Sequence, residues 1–327
     1  MSDAFSRTLE ELKNLVSEDL KEMEKLIIDA GNSEISYVAD IVSHLMLSGG
    51  KRIRPIMLFA TCRMLELNDR RKIHIAAAIE FIHSATLLHD DVVDQSDLRR
   101  GIRTSNSLWG NKASILVGDF LLAMAFRWVV ACRNFELLTV FSEASRTIIT
   151  GEIQQMTYGT DLNMTREKYL EIISAKTAAL FAATCESAGV MSEVSHDKRE
   201  ALRDWGHNFG IIFQIVDDLL DYTTQREEWG KTSGQDLSNG QVTLPLIIAH
   251  EGADPTTKEL LRGALAGKPS DLKAAYSYIA SLDIVTKATQ FATDYVNASR
   301  RFLDPFPDSQ YKSKLDALLH SALQRQF

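Results

Sequence analysis

AAAIEFIHSATLLHDDVVD, residues 76–94, is Ala-rich and apolar on most sides, and then ends in aspartates at 90, 91 and 94. A helix that is hydrophobic all round is one surrounded by other helices. A second stretch, IIFQIVDDLLDY (211–222), carries Ile211, Ile212, Ile215, Val216, Leu219 and Leu220 at the spacing of one helical face. Proline, the strongest helix breaker, occurs only at 55, 245, 255, 269, 305 and 307, so residues 56–244 are free to form a succession of long helices. Period-two alternation between turn clusters is weak. SGG at 48–50 reads as a helix C-cap and turn, and residues 95–112 and 223–243 read as loops. No linker or low-complexity stretch divides the chain, so one all-α domain over residues 1–327 is expected.

Composition narrows the function. With 45% hydrophobic and 24% charged residues the chain has the balance of a soluble globular protein. Its formal net charge of −8 argues against a nucleic-acid partner, which needs a basic footprint. No apolar run approaches the roughly 18–20 residues of a membrane span, and MSDAFSRTLEEL at the N-terminus lacks the features of a signal peptide. Cys62, Cys132 and Cys185 lie far apart, without metal spacing or an even disulfide set, and read as buried free thiols of a cytoplasmic protein.

The aspartates form an internal echo. DDVVD at 90–94 recurs as DDLLD at 217–221, each copy ending an apolar run and preceding a polar segment with basic residues. On a helix, i and i+4 share a face and i+1 and i+3 lie close to it, so each motif projects two or three carboxylates from one helix end. Like charges so spaced repel, and beside apolar neighbours they are poorly solvated. A solvated helix end explains one such motif; two copies at the ends of buried helices call for a cation between them. Oxygen ligands without His or Cys suit a hard divalent ion, and Mg²⁺ in particular binds through a few carboxylates, waters and substrate phosphates. Arg99 and Arg100, and the basic groups of GGKRIRP (49–55), would then contact phosphate oxygens through forked, charge-assisted bonds.

The set GGKRIRP, LLHDDVVDQSDLRRG (87–101), AKTAALF, FQIVDDLLDY and GKTSGQDLSNGQVTLP resembles the trans-isoprenyl diphosphate synthases in order and interval, over roughly residues 35–250. The resemblance implies an all-α, isoprenoid synthase-type bundle of long helices around a deep central cavity, usually a homodimer. It implies head-to-tail condensation of isopentenyl diphosphate with an allylic diphosphate. By position, Asp90, Asp91, Asp94, Asp217, Asp218 and Asp221 would hold Mg²⁺, and Arg99, Lys176 and Lys231 would contact the allylic diphosphate. Lys51, Arg54, His83 and Arg100 would hold isopentenyl diphosphate, and Thr177 and Gln214 would face the reacting carbons.

A lone His on an apolar helix is more often a packed core residue; the resemblance favours a substrate contact for His83. Gln214 lies on nearly the same face as Asp217 and Asp218, which supports a site role independently. Lys176 rests mainly on the resemblance. Gln241 departs from the pattern, because the family usually has lysine there. The small pair Ala85 and Thr86, one turn before the first motif, implies a long tunnel for the growing chain, with Ile82, Phe81 and Phe126 as candidates for its floor. A long-chain, quinone-type polyprenyl product is therefore the expectation, with a farnesyl- or geranylgeranyl-length product as the alternative. A terpene cyclase would lack the second all-aspartate motif and have no use for Lys51, Arg54 and Arg100, and a non-catalytic subunit would tend to lose one or both motifs. The N-terminal helix, with Leu9, Leu12, Leu15, Val16 and Leu20 among acids, reads as a packing element rather than a membrane anchor. YKSKLDALLHSALQRQF (311–327) reads as a final amphipathic helix whose basic end the sequence does not locate.

Overall fold

The structure is a computed structural model and describes residues 3–31, 35–47, 49–99, 101–223 and 235–325. The chain runs α1 (Ala4–Leu15), α2 (Ser17–Gly31), α3 (Ser36–Leu47), α4 (Ile53–Met64), α5 (Arg71–Val93), β1 (Leu98–Arg99), β2 (Ile102–Arg103), α6 (Ser105–Trp109), α7 (Asn111–Ala131) and α8 (Phe135–Tyr158). It continues through α9 (Arg166–Ile173), a π-helical turn (Ser174–Ala178), α10 (Ala179–Met191), α11 (His196–Thr223), α12 (Gln235–Ser238) and α13 (Leu244–Glu251). The last four elements are α14 (Pro255–Leu265), α15 (Pro269–Ser281), α16 (Ile284–Ser299) and α17 (Gln310–Ala322). The all-α expectation holds, and local chemistry sets many of the boundaries. Asp3, Asn134, Thr165, Asp254, Asp283 and Ser309 each accept a backbone N–H at a helix start, satisfying donors that the helix itself leaves without partners.

The apolar face of α11 is divided between two cores. Trp205, Phe209, Ile212 and Val216 join the main cluster, together with α4, α5, α7 and α10. Ile211, Ile215, Leu219 and Tyr222 join a second cluster built with α9, α13 and α16. Adjacent residues on a helix point about 100° apart, so the sequence stripe is wide enough to serve a helix wedged between two packed bodies. Leu220 belongs to neither buried set and lines the cavity described below.

Residues 95–112 are more ordered than a loop. Leu98 and Arg99 pair with Arg103 and Ile102 in an antiparallel hairpin whose turn contains Gly101 at φ 78°. Thr104 Oγ1 donates to the Ser96 carbonyl at 2.6 Å, and Asn106 Nδ2 lies 3.2 Å from the carbonyls of Asp91 and Ser96. The polar residues read as loop signals thus tie the segment after the first aspartate motif back onto α5. Of the cap expected at 48–50, Ser48 lies outside the described residues; Gly49 has a φ of 69°, which suits glycine, and its N–H donates to the Met46 carbonyl.

One expectation is corrected. By length and composition α7, 21 residues long, is apolar enough to cross a membrane, with mean hydropathy 1.7 over an 18-residue window. It packs along α5, while its outer side carries Lys112, Asp119 and Arg127 alongside Ile115, Leu116 and Val130. A lipid-facing surface would not hold three charges. Chain α8 folds back across the short turn at 132–134 and exposes Ile149, Ile153 and Met156 towards its C-terminal end. The three cysteines are buried, and burial pushes the Cys62 and Cys185 thiols up to about 12.

Candidate active site

The ends of α5 and α11 open into one cavity of about 780 Å³, lined by Asp90, Asp91 and Asp94 from one and Asp217 and Asp221 from the other. The echo in sequence is a juxtaposition in space. Asp91 is nearly buried; desolvation raises its pKa, and Arg99, whose Nε lies 2.9 Å away, works against that rise. Desolvation likewise raises Asp94, opposed by Lys176. Among the described residues no three His, Cys, Asp or Glu side chains converge to form a metal site of their own. An oxygen-only set facing a cavity from two sides, without a closed cage, fits Mg²⁺, which keeps waters and takes phosphate oxygens as remaining ligands.

Lys176 and Thr177 reach the cavity from the π-turn, a helical irregularity common at functional sites. The Lys176 ammonium lies 2.7 Å from Glu152 and 3.4 Å from Asp90. Burial depresses its pKa, but the Asp90 and Glu152 carboxylates outweigh that and leave it raised. Glu152 is pushed up to about 7 by burial and by Asp90, against the pull of Lys176. Close helix approach fixes the turn. A Cβ on Gly151 of α8 would sit 2.6 Å from the Lys176 backbone nitrogen, and one on Gly210 of α11 would sit 2.5 Å from Ala178 Cα. Only glycine lets both helices touch the turn backbone.

The anion side is built from the turn before α4 and the first turn of that helix. Lys51 and Arg54 line the cavity with His83 of α5. The Arg54 guanidinium lies 4.1 Å over the Phe181 ring, and its buried Nε has no hydrogen-bond partner among the described residues. Desolvation lowers its pKa to about 10, with Glu80 and Asp217 opposing. An underpaired, desolvated cation in a cavity wall is a strong receptor for an anion. Arg52, at φ 49°, bonds Glu80 at 2.7 Å and clamps this turn to α5.

The remaining expected residues divide. Gln214 and Arg99 line the cavity, as does Gln241, at the position where the family has lysine. Thr86 also lines it, its hydroxyl turned back to the His83 carbonyl at 2.8 Å. Asp218, expected with the metal ligands, is turned away: it is buried and accepts from Tyr169 at 2.6 Å and Gln214 at 2.8 Å. Burial pushes it up to about 7 against those two bonds. Ala85, expected along the growing chain, and Ile82 and Phe126, expected at its floor, are not in the cavity wall; Ala85 and Ile82 are core residues and Phe126 packs against the core. Phe81 packs against Trp128 inside that core, with ring centroids 4.7 Å apart and the rings tilted by 40°. Ala85 is about 100° from Thr86 around α5. Ile82 shares the face of Thr86 but lies one turn further along the helix, where it is buried, and Phe126 belongs to α7. Arg100 and Lys231 lie outside the described residues.

Sequence reading missed several wall residues. Glu152 and Gln155 stand three apart on α8, a signal that was available in GEIQQ (151–155). Arg325 was not locatable: it follows α17, bonds Asp217 at 2.6 Å and lies over the Phe213 ring at 4.5 Å.

The polyprenyl synthetase family model matches residues 35–280 of this chain. The chain is 36% identical over 322 residues to the octaprenyl diphosphate synthase of Escherichia coli (strain K12), covering 97% of this chain and 99% of that protein. It is 37% identical to the all-trans-nonaprenyl-diphosphate synthase (geranyl-diphosphate specific) of Rhodobacter capsulatus, over 95% and 96% of the two chains. Its fold matches the crystal structure of polyprenyl synthase from Caulobacter crescentus CB15 complexed with calcium and isoprenyl diphosphate, with a TM-score of 0.92, 38% identity and 97% and 98% coverage. With two aspartate clusters facing one cavity and matches of this extent, the chain belongs to the polyprenyl synthetase family and is a prenyltransferase.

Proposed function

We propose that this prenyltransferase is Mg²⁺-dependent and condenses isopentenyl diphosphate with an allylic diphosphate, head to tail, to a long-chain all-trans polyprenyl diphosphate of the kind used for quinone side chains. The observation that carries the reading is the single cavity with carboxylates on two sides and the underpaired Arg54 on a third. Mg²⁺, when bound, neutralises the allylic diphosphate and makes it a leaving group. Arg99 and Lys176 hold its oxygens, while Lys51, Arg54 and His83 hold the isopentenyl diphosphate. The allylic C–O bond breaks with its electron pair leaving on diphosphate. The isopentenyl double bond forms the new C–C bond, and the proton then lost passes to the departing diphosphate. Thr177 and Gln214 face the reacting carbons, and the packed helices exclude the water that would trap the cation.

Two observations support a long chain: the long-chain names of the relatives, and Thr86, a small wall residue whose hydroxyl is engaged by the His83 carbonyl. One observation favours a shorter product. Phe181 and Phe213 both line the cavity with ring centroids 5.7 Å apart, and a chain growing against them would stop early. The outward apolar residues Ile115, Leu116, Ile149, Ile153 and Met156 on α7 and α8 support a homodimer through this face.

The test is product analysis with Mg²⁺, labelled isopentenyl diphosphate and, separately, geranyl, farnesyl and geranylgeranyl primers. Chains of about seven to ten units are expected from the long-tunnel reading. Products of three or four units would replace it with a stop at the aromatic pair.

A further inference from the structure

Four side chains form a continuous hydrogen-bonded line from the interior behind the cavity to its wall. Tyr169 Oη donates to Asp218 Oδ2 at 2.6 Å, and Gln214 Nε2 donates to Asp218 Oδ1 at 2.8 Å. Thr177 Oγ1 in turn donates to Gln214 Oε1 at 2.7 Å. Tyr169 and Asp218 are 2% and 6% exposed and stand outside the cavity wall, whereas Gln214 and Thr177 are part of it. The line joins α9, α11 and the π-turn.

Its direction is fixed from the buried end. A tyrosine hydroxyl beside a carboxylate donates to it, and the carboxylate, holding that donor on one oxygen, presents the other as an acceptor. The Gln214 amide must therefore turn its nitrogen to Asp218, which leaves its oxygen facing Thr177. A hydroxyl has one proton and two lone pairs. With the proton committed to Gln214, the lone pairs of Thr177 remain for the cavity. Reversing the amide would set its oxygen against the Asp218 carboxylate and turn Thr177 from donor to acceptor, committing one of those lone pairs.

We propose that Tyr169 is a positioning residue for prenyl transfer, acting through Asp218 and Gln214 to hold the Thr177 hydroxyl with its lone pairs towards the allylic carbons where positive charge develops. The same geometry makes Asp218 part of this relay rather than a metal ligand. Preorganised dipoles aimed at developing charge stabilise a transition state because they need no reorientation during reaction. The inference rests on the prenyl-transfer reading and is independent of product length. Tyr169 stands seven positions before Lys176, so two turns of helix carry it from the buried anchor to the cavity.

A double-mutant cycle tests the relay. Tyr169→Phe, which keeps the ring, is expected to lower kcat with geranyl diphosphate about tenfold while leaving KM for isopentenyl diphosphate unchanged. In a Thr177→Val background the same change should cost less than about twofold, because the group it orients is gone. Equal losses in both backgrounds would show a general structural role and overturn the relay, as would an unchanged kcat in the single variant. Asp218→Asn is the second probe, since an amide there lets Gln214 reverse. It should lower kcat like Tyr169→Phe, yet bind Mg²⁺ as tightly as the unaltered protein in calorimetric titrations with unreactive geranyl thiolodiphosphate. A loss of Mg²⁺ affinity would return Asp218 to the metal ligands and overturn the assignment. Unaltered protein making short chains would remove the long-chain reading and leave this comparison intact.

Discussion

Asp217→Ala is expected to lower kcat by about 10³-fold, on the scale of removing an electrostatic group that acts on charge developing in the transition state. Two consequences follow from one carboxylate. With Asp221 it is one of the two members of the second motif that line the cavity, so its loss weakens neutralisation of the leaving diphosphate. It is also the partner of Arg325, whose side chain is 10% exposed and lies over Phe5 and Phe213. Removing it strands a largely desolvated guanidinium. Because the Asp217 side chain itself is 39% exposed, solvent screens the pair, and the stability loss should be about 1 kcal/mol rather than the larger cost of breaking a fully buried pair. Steady-state kinetics and thermal melting of the same variant separate the two effects. Asp218→Asn, at the adjacent position, should show the milder loss described above. Equal losses of Mg²⁺ affinity at 217 and 218 would contradict the orientation of this helix end.

The second large effect is at Arg54. Arg54→Met should raise KM for isopentenyl diphosphate about 10²-fold, the scale of a lost charge-assisted, forked phosphate contact, with a much smaller change in KM for the allylic primer. It should also raise Tm by roughly 2 °C, since a poorly paired cation is replaced by an apolar chain against Phe181. The sign follows from the depressed pKa. Desolvation brings the guanidinium to about 10, so folding disfavours its charged form, and the penalty is fully present at neutral pH. The group nevertheless stays charged at pH 7, as an anion receptor must. Its affinity for diphosphate should fall only as pH rises through about 10. A variant that binds isopentenyl diphosphate normally would remove Arg54 from the anion site.

Both effects concern residues that could be read in the sequence, because their signal is local. A DDxxD run at the end of an apolar helix carries its charge conflict within a few turns. GGKRIRP marks a turn and its cations together. The all-α class was legible for the same reason, since helical periodicity and the spacing of prolines are short-range properties. The sequence also brought out Gln214, whose place beside Asp217 follows from helical geometry alone.

What the sequence left open depended on the rotation of a helix about its axis and on contacts between distant segments. A turn-scale argument put Ala85 and Thr86 along the product's path, with Ile82, Phe81 and Phe126 as its floor. Of that pair, packing of α5 brings Thr86 to the cavity and Ala85 into the core, where Ile82 and Phe81 also lie. Asp218 and Asp217 are neighbours in the chain and about 100° apart on the helix, so one meets Tyr169 inside while the other meets Arg325 across the cavity. The loop reading of 95–112 failed because the same polar residues make turns in isolation and hairpin contacts when a helix end lies beside them. Arg325 is 108 residues from Asp217 along the chain, and no local pattern encodes that meeting. Periodicity and the spacing of prolines determined the fold class and the two aspartate motifs pointed to a cation-bridged diphosphate, because each is a property of neighbouring residues, while prenyl transfer was what the family resemblance implied. The tertiary structure alone decided which face of each helix met the cavity and which distant cation closed each acid, because long-range packing selects one rotation among many that periodicity allows.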